Sequence, residues 1–438
     1  MDLITVGIIG FIIFIVLLLM RVPVAFSMAL VGTVGLIYIQ GIKTIFHFMP
    51  LEIYGHTSSF TLAALPLFIL MGTLGFYADI GKDSYDAALA WFGKVPGGLA
   101  ITTTYACAIF GACSGSSLAE CAVFSKIAIP EMIARGYNKR FALGVVASAA
   151  GLDALIPPSV PLVLYGVLTE TSIGELLIAG VVPGILWAAI YAVVIGLVCY
   201  FYPSIAPRIS GVDTSWRARW NSFKKLWAVV FLFVLVLGSI YAGWATPDEA
   251  AGVGVVGSFL LVVYRKKFRW RDVMSATLDA GKTSAMIFLI LGAASVFTGF
   301  VMLSGVIPAI TSWVIGMKLP LWGIFVMLNI LWLIMGCFLD GLSILILTLP
   351  IAIPIMQAHH VNLVWFGVMI TMNLLIGTIT PPFGLSCFVL KGAMGDQVEL
   401  KDVFWGAAPF IPLMAFILGI FYAFPEITLW LPRVMRGH

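Results

Sequence analysis

Gly111-Ala112-Cys113-Ser114-Gly115-Ser116-Ser117 lies midway through an otherwise apolar run from Gly97 to Pro130. At 34 residues that run is too long for one membrane crossing of about 20 residues, and short for two crossings with a loop. A second run, Pro320 to Met356, has the same defect at 37 residues and is interrupted by Gly336-Cys337-Phe338-Leu339-Asp340-Gly341-Leu342-Ser343. Each reads as a hairpin, 97–130 and 320–356, whose polar tip lies inside an apolar layer and whose two arms leave it on the same side.

The surrounding composition agrees. Of 438 residues 61% are hydrophobic and 10% charged, against about 25% charged in soluble domains. With a mean hydropathy of +1.09, this is an all-α polytopic membrane protein, and a soluble enzyme is excluded. The net charge of +4 is no nucleic-acid signal, because the bases cluster in short loops such as Arg265 to Arg271. The six cysteines lie in apolar stretches without CxxC pairing and read as small buried hydrophobes. Met1 to Met20 lacks a basic start and a cleavage site, so it reads as a retained first helix.

Further apolar segments run at about 24–39, 62–77, 141–168, 176–202, 226–241, 250–264, 283–303, 364–390 and 403–424. The chain repeats itself at a spacing of about 220 to 226 residues. Gly111 to Ser117 aligns with Gly336 to Ser343, and Ile156-Pro157-Pro158 with Thr380-Pro381-Pro382. Both halves show three apolar helices, an interrupted segment, a Pro-Pro-broken helix and a final helix, an order typical of secondary transporters. The expected division is a first repeat, 1–210, containing the broken helix 141–168; a linker, 211–225, that reads as an interfacial segment or a plain basic loop; and a second repeat, 226–438, containing the broken helix 364–390. Five crossings per half make the second repeat inverted. With the N-terminus outside, Arg21, Lys82 to Lys94, Arg135 to Arg140, Arg208 to Lys225 and Arg265 to Arg271 fall on the cytoplasmic side, and the acidic loops Thr169 to Glu175 and Thr246 to Glu249 outside. Arg433 and Arg436 break that rule.

Backbone that leaves the helix in mid-membrane strands polar groups, so it survives only inside protein or around a solute. Pro157 and Pro158 lack amide donors and are expected to free carbonyls near Asp153 and Ala154; Pro381 and Pro382 are expected to free those near Gly377 and Thr378. Each hairpin tip facing its own Pro-Pro break would make an oxygen-rich cage for a hard cation. The expected cation ligands are Ser114, Gly115, Ser116, Asp153, Ile156 and Pro157 in one half, and Asp340, Gly341, Ser343, Gly377, Thr378 and Thr380 in the other. An unpaired intramembrane acid such as Asp153 or Asp340 is functional by default, a protonated acid being the rival reading. Glu120, Lys126 and Glu131 admit a structural reading: the first two share one hairpin arm, and the last two approach the cytoplasmic edge.

The second arm of each hairpin starts just after its tip, so its helix N-terminus points free amides into the layer, where an anionic solute would be held. No arginine lies in the breaks. Solute contacts are therefore expected from Ser116, Ser117, Pro158, Ser159, Ser343, Pro381, Pro382 and Gly384. Enzymatic readings fail: Cys113-Ser114-Gly115 is no nucleophile elbow, the five histidines (His47, His56, His359, His360, His438) are expected in loops or at the terminus, and no phosphate-binding loop is present. Transport energy is expected from an ion gradient.

At these residues the sequence resembles a known family. Gly111-Ala-Cys-Ser-Gly-Ser-Ser-Leu-Ala-Glu120, Leu155-Ile-Pro-Pro-Ser-Val160, Tyr165 to Gly184, Thr380-Pro-Pro-Phe-Gly384 and Ala64 to Gly72 are similar to the large membrane subunit (DctM/SiaM type) of tripartite ATP-independent periplasmic (TRAP) transporters. The resemblance spans essentially the whole chain. It implies an ion-transporter-superfamily fold with an elevator mechanism, in which hairpins and broken helices slide against a scaffold. It also implies sodium-coupled import of an organic acid across the bacterial inner membrane, with at least two Na+ sites at the tips and breaks. The implied partners are a small four-helix membrane subunit and a periplasmic substrate-binding protein. This chain starts at the large subunit's first helix, so the small subunit is expected as a separate polypeptide. C4-dicarboxylates, sialic acid and sugar acids stay open as cargo; a one-component sodium or proton symporter is the alternative, and a scaffolding protein a third reading.

Overall fold

The computed structural model describes residues 2–20, 22–209, 211–336, 339–382 and 384–436, apart from the side chains of residues 44, 45, 47, 48, 52, 56, 57 and 436. Met1, Arg21, Cys337, Phe338, Phe383 and His438, and the side chains of His47, His56 and Arg436, named or spanned above, lie outside that set. Among the described residues all regular structure is helical. The first half comprises α1 (Leu3–Leu19), α2 (Val24–Gln40), α3 (Ile42–Thr57), α4 (Ala64–Tyr77), α5 (Ile80–Phe92), α6 (Gly98–Ser114), α7 (Ser117–Ala134), α8 (Lys139–Ala149), α9 (Val160–Thr169) and α10 (Ile173–Phe201). The linker region holds α11 (Trp216–Lys225). The second half comprises α12 (Trp227–Tyr241), α13 (Pro247–Tyr264), α14 (Trp270–Leu303), α15 (Val306–Gly316), α16 (Leu321–Gly336), α17 (Gly341–Ala358), α18 (Leu363–Ile379), α19 (Leu385–Met394), α20 (Leu400–Ala407), α21 (Phe410–Ala423) and α22 (Glu426–Arg436).

Among the described residues six helical stretches are by themselves long and apolar enough to cross a membrane, and α11 with α12, bent by 47°, makes up to a seventh. Several elements depart from the sequence expectation. His47 and His56, expected in loops, lie within α3, and Lys82 belongs to α5. Both helices carry charged or polar side chains every few residues, so neither forms an uninterrupted apolar run. α14 begins at Trp270, well before the expected position 283, because its polar first turns contain no helix breaker; its 34 residues extend about 51 Å. The last expected span is divided at Pro409, which has no amide to continue the ladder.

The two interrupted segments fold back on themselves. Phe110 of α6 meets Phe124 of α7 edge to face, with centroids 5.9 Å apart, although 14 residues separate them in sequence. A straight helix would hold them about 21 Å apart. In the second, the Trp332 indole of α16 donates to the Thr348 hydroxyl of α17 at 3.0 Å. Tyr137, after α7, accepts from the Leu99 amide at 3.2 Å and ties the base of the first hairpin; burial pushes its hydroxyl up to about 12.

Ion pairs join the basic loops. Arg265 pairs with Asp83, Lys267 with Asp79, and Lys225 with Asp86 at 3.4 Å; the Asn138 amide donates to the Ile205 carbonyl at 2.8 Å. On α11, the Arg219 guanidinium lies 5.5 Å from the ring of Trp91 and 5.4 Å from that of Trp216, a basic and aromatic cluster suited to a polar–apolar boundary.

Candidate functional site

The first hairpin turns at Gly115, whose φ of +58° is left-handed and ends α6. Ser116 then caps α7, its hydroxyl accepting from the Ala119 amide at 3.4 Å. At Gly111 an added Cβ would stand 2.7 Å from the Asp153 Cα, so only glycine lets the broken helix approach α6 this closely. The consequence is direct contact between tip and break. The Ser117 hydroxyl donates to Asp153 Oδ1 at 2.5 Å, and a Cβ at Gly115 would lie 3.2 Å from the Pro158 carbonyl.

That break runs from the end of α8 through one 3-10 turn, Leu152–Ala154, and the cis Pro157–Pro158 bond to Ser159, which caps α9 by accepting from Leu162 N at 3.3 Å. The Ser159 hydroxyl also donates to the Ala154 carbonyl. The sequence expectation that Ala154 carries an open carbonyl is therefore corrected: a serine five residues on satisfies it. The carbonyls of Asp153, Leu155, Ile156, Pro157 and Pro158 accept no hydrogen bond from the described residues, and every residue from Gly151 to Val160 is buried. Buried acceptors of this kind need a partner, and a hard cation takes oxygen ligands of this type. This half fits a bound cation.

Ser159→Ala removes the α9 cap and strands the Ala154 acceptor. About 1 kcal/mol for the cap and about 1–3 kcal/mol for the unsatisfied carbonyl predict a clear fall in thermal unfolding temperature. An unchanged melting curve would show that this local network is dispensable.

The second half is built differently. Asp340 caps α17, accepting from the Ser343 amide at 3.1 Å and from the Ser343 hydroxyl. Gly336 and Gly377 face each other, a Cβ on the first falling 2.7 Å from the Cα of the second; Gly341 lies against Leu374. The Gly377 carbonyl, expected to be open, accepts from the Thr380 amide at 3.2 Å, and the Thr380 hydroxyl donates to the Ile376 carbonyl at 2.6 Å. The Thr378 hydroxyl donates to Leu375 at 2.8 Å, and its own carbonyl receives no hydrogen bond from the described residues.

Pro381 and Pro382, joined by a cis bond, are exposed, whereas Pro157 and Pro158 are buried. The hydrogen bonds of Asp340 and Ser343 stay within their own tip, and the second tip meets its break through the backbone at Gly336 and Gly377, whereas the first tip is also joined to its break by a side-chain hydrogen bond. The physical reason is one side chain. Asp153 reaches across to Ser117; at the corresponding place the second half has Gly377, which has nothing to extend, and the acid sits on the tip instead.

The halves interlock at these breaks. α7 packs on α19, with the Cys121 thiol directed at the Ser386 carbonyl at 3.3 Å, and α17 packs on α9. The second arm of each hairpin thus lies against the half-helix that follows the opposite break. Cys107, Cys113, Cys121, Cys199 and Cys387 are buried and free, and His359 and His360 close α17 in a turn.

One residue of this region was not placed in the site from sequence. Glu120 is 0% exposed, and neither carboxyl oxygen has a hydrogen-bond partner. The available signal was its position three residues after Ser117, which puts both side chains on one face of α7.

Residues 11–427 match the family model described as "Tripartite ATP-independent periplasmic transporter, DctM component". The C4-dicarboxylate TRAP transporter large permease protein DctM of Pseudomonas aeruginosa is 35% identical over 90% of this chain and 93% of that one. The sialic acid TRAP transporter large permease protein SiaM of Vibrio cholerae is 29% identical over 96% and 97%. Among solved structures, that of the Alcanivorax borkumensis YdaH transporter superposes with a TM-score of 0.58 over 90% of this chain and 91% of that one; at 14% identity the likeness is one of fold. A helical membrane chain with paired polar breaks and a family match over nearly its whole length belongs to the DctM family, the large permease subunits of TRAP transporters.

Proposed function

We propose that this chain imports an organic acid across the bacterial inner membrane, driven by a sodium gradient and dependent on a periplasmic binding protein. The observation that carries the reading is the first break: five buried carbonyls without hydrogen bonds from the described residues, beside a buried carboxylate, suit a small cation. A second cation is assigned to Asp340, Gly341 and Ser343 with the open Thr378 carbonyl. The helix N-termini that follow Ser116, Ser159 and Asp340 favour an anion, which supports a carboxylate cargo. Relatives named for C4-dicarboxylates and for sialic acid agree with that chemical class.

In this scheme the hairpins re-enter on one side each and move with the broken helices as one body against α1 to α4 and α12 to α14. The ion-paired basic loops lie in the cytoplasm. A small four-helix subunit supplies further scaffold, and the binding protein delivers the solute. The test is uptake into proteoliposomes containing both membrane subunits and the loaded binding protein. Uptake is expected only with inward sodium and binding protein together. Uptake by this chain alone would favour a one-component symporter, and uptake that follows a pH gradient without sodium would refute sodium coupling.

A further inference from the structure

Beside the first break lies a charge imbalance. Glu120 and Asp153 are 0% and 1% exposed, and both oxygens of Glu120 and Oδ2 of Asp153 have no hydrogen-bond partner. The Glu120 carboxyl lies near the buried Asp153 carboxyl, and no hydrogen bond joins the two residues. The groups packed around them are the Ser117 hydroxyl on α7, the Cys107 thiol on α6 and the backbone of the 3-10 turn. No ion pair to either acid occurs among the described residues, and Lys126, on the same helix, is exposed.

An acid in the first turn of a helix gains from the helix dipole, and that is the ordinary explanation for Glu120. It falls short here. Glu120 is the fourth residue after its cap, Ser116, one beyond the capping-box position, and its oxygens reach no free amide. Two adjacent buried carboxylates without a counter-charge cost several kcal/mol. Protonation relieves that cost one acid at a time; an occupant that relieves it for both at once is positive, accepts oxygen ligands, and is small enough for a site with no exposed surface.

We propose that Glu120, Asp153 and Ser117 together bind an inorganic monovalent cation through side-chain oxygens, with Glu120 as a ligand in its own right. The proposal rests on the cation-coupled reading above and deepens it. The first half then carries two carboxylates at its cation site and the second half one, Asp340, so the two sites differ in charge and in affinity. At the position corresponding to Asp153 the second half has Gly377, so this acidic pair has no counterpart there.

The test uses the full chain with its small subunit in lipid nanodiscs, with sodium as the only probe and choline as the control. In the wild type, sodium is expected to raise the unfolding temperature and to protect Glu120 from a hydrophobic carbodiimide, read by mass spectrometry of the Glu120 peptide. Glu120→Gln should raise the half-saturating sodium concentration about tenfold, because ligand charge sets affinity at such sites. It should also leave the protein at least as stable as the wild type in choline, since a buried unpaired charge has gone. A structural role predicts the reverse: lower stability in both salts with unchanged sodium dependence. That result overturns the proposal, as does carbodiimide labelling of wild-type Glu120 that sodium leaves unaltered, a readout that does not depend on the variant folding. Failure of the wider reading looks different. Wild-type uptake without sodium dependence removes the coupling itself, whereas sodium-dependent uptake with an unshifted Glu120→Gln removes only the role of Glu120.

Discussion

Gly115→Leu is expected to reduce sodium-driven uptake about 100-fold at equal membrane protein level. Two terms combine. The residue holds φ at +58°, a conformation that costs an L side chain about 1–2 kcal/mol. Its Cβ would then press on the Pro158 carbonyl at 3.2 Å and Val160 at 3.4 Å, an overpacking worth about 1–3 kcal/mol. The total is of the order of two tenfold steps, and it falls on the contact between tip and break. Gly243→Leu is the control: its φ is +69°, but nothing lies within 4 Å of the added Cβ. It carries the backbone strain without the overlap and should retain most uptake. Equal losses in both variants would mean that strain alone, and not the tip contact, governs transport.

Asp340→Ala is expected to lower sodium-driven uptake at least tenfold, well beyond any loss of protein. Alanine removes both the carboxylate and the α17 cap, and the cap alone is worth about 1 kcal/mol of stability. Asp340→Asn separates the two effects, because asparagine caps a helix as well as aspartate does and carries no charge. The asparagine variant should unfold near the wild-type temperature and still transport poorly. Uptake at the wild-type rate by Asp340→Asn would show that the residue acts only as a cap.

Several of these features are readable in the sequence. Gly115 between two serines and Gly341 beside an aspartate, inside runs of the wrong length, signal folding back, because backbone that leaves the helix there must lie within protein. The two Pro-Pro pairs mark breaks for the same reason. Helices with charged or polar side chains every few residues, such as α3 and α5, are not readable from apolar runs, because they interrupt the pattern that marks a crossing. The different burial of the two Pro-Pro pairs is also hidden, because it depends on what packs over each break, and that requires the fold. Glu120 is the clearest case. In sequence it resembles any acid near a helix start, and only its burial and its unpartnered oxygens distinguish it.

The central claim is that cations complete the backbone at paired breaks, and it is tested most directly by cryo-electron density of the assembled complex in sodium and in choline. The account predicts non-protein density in sodium about 2.3–2.5 Å from oxygens of Asp153, Ile156 and Pro157 and from those of Asp340 and Thr378, absent in choline. Identical maps in the two salts, or helices running unbroken through these positions, would contradict it.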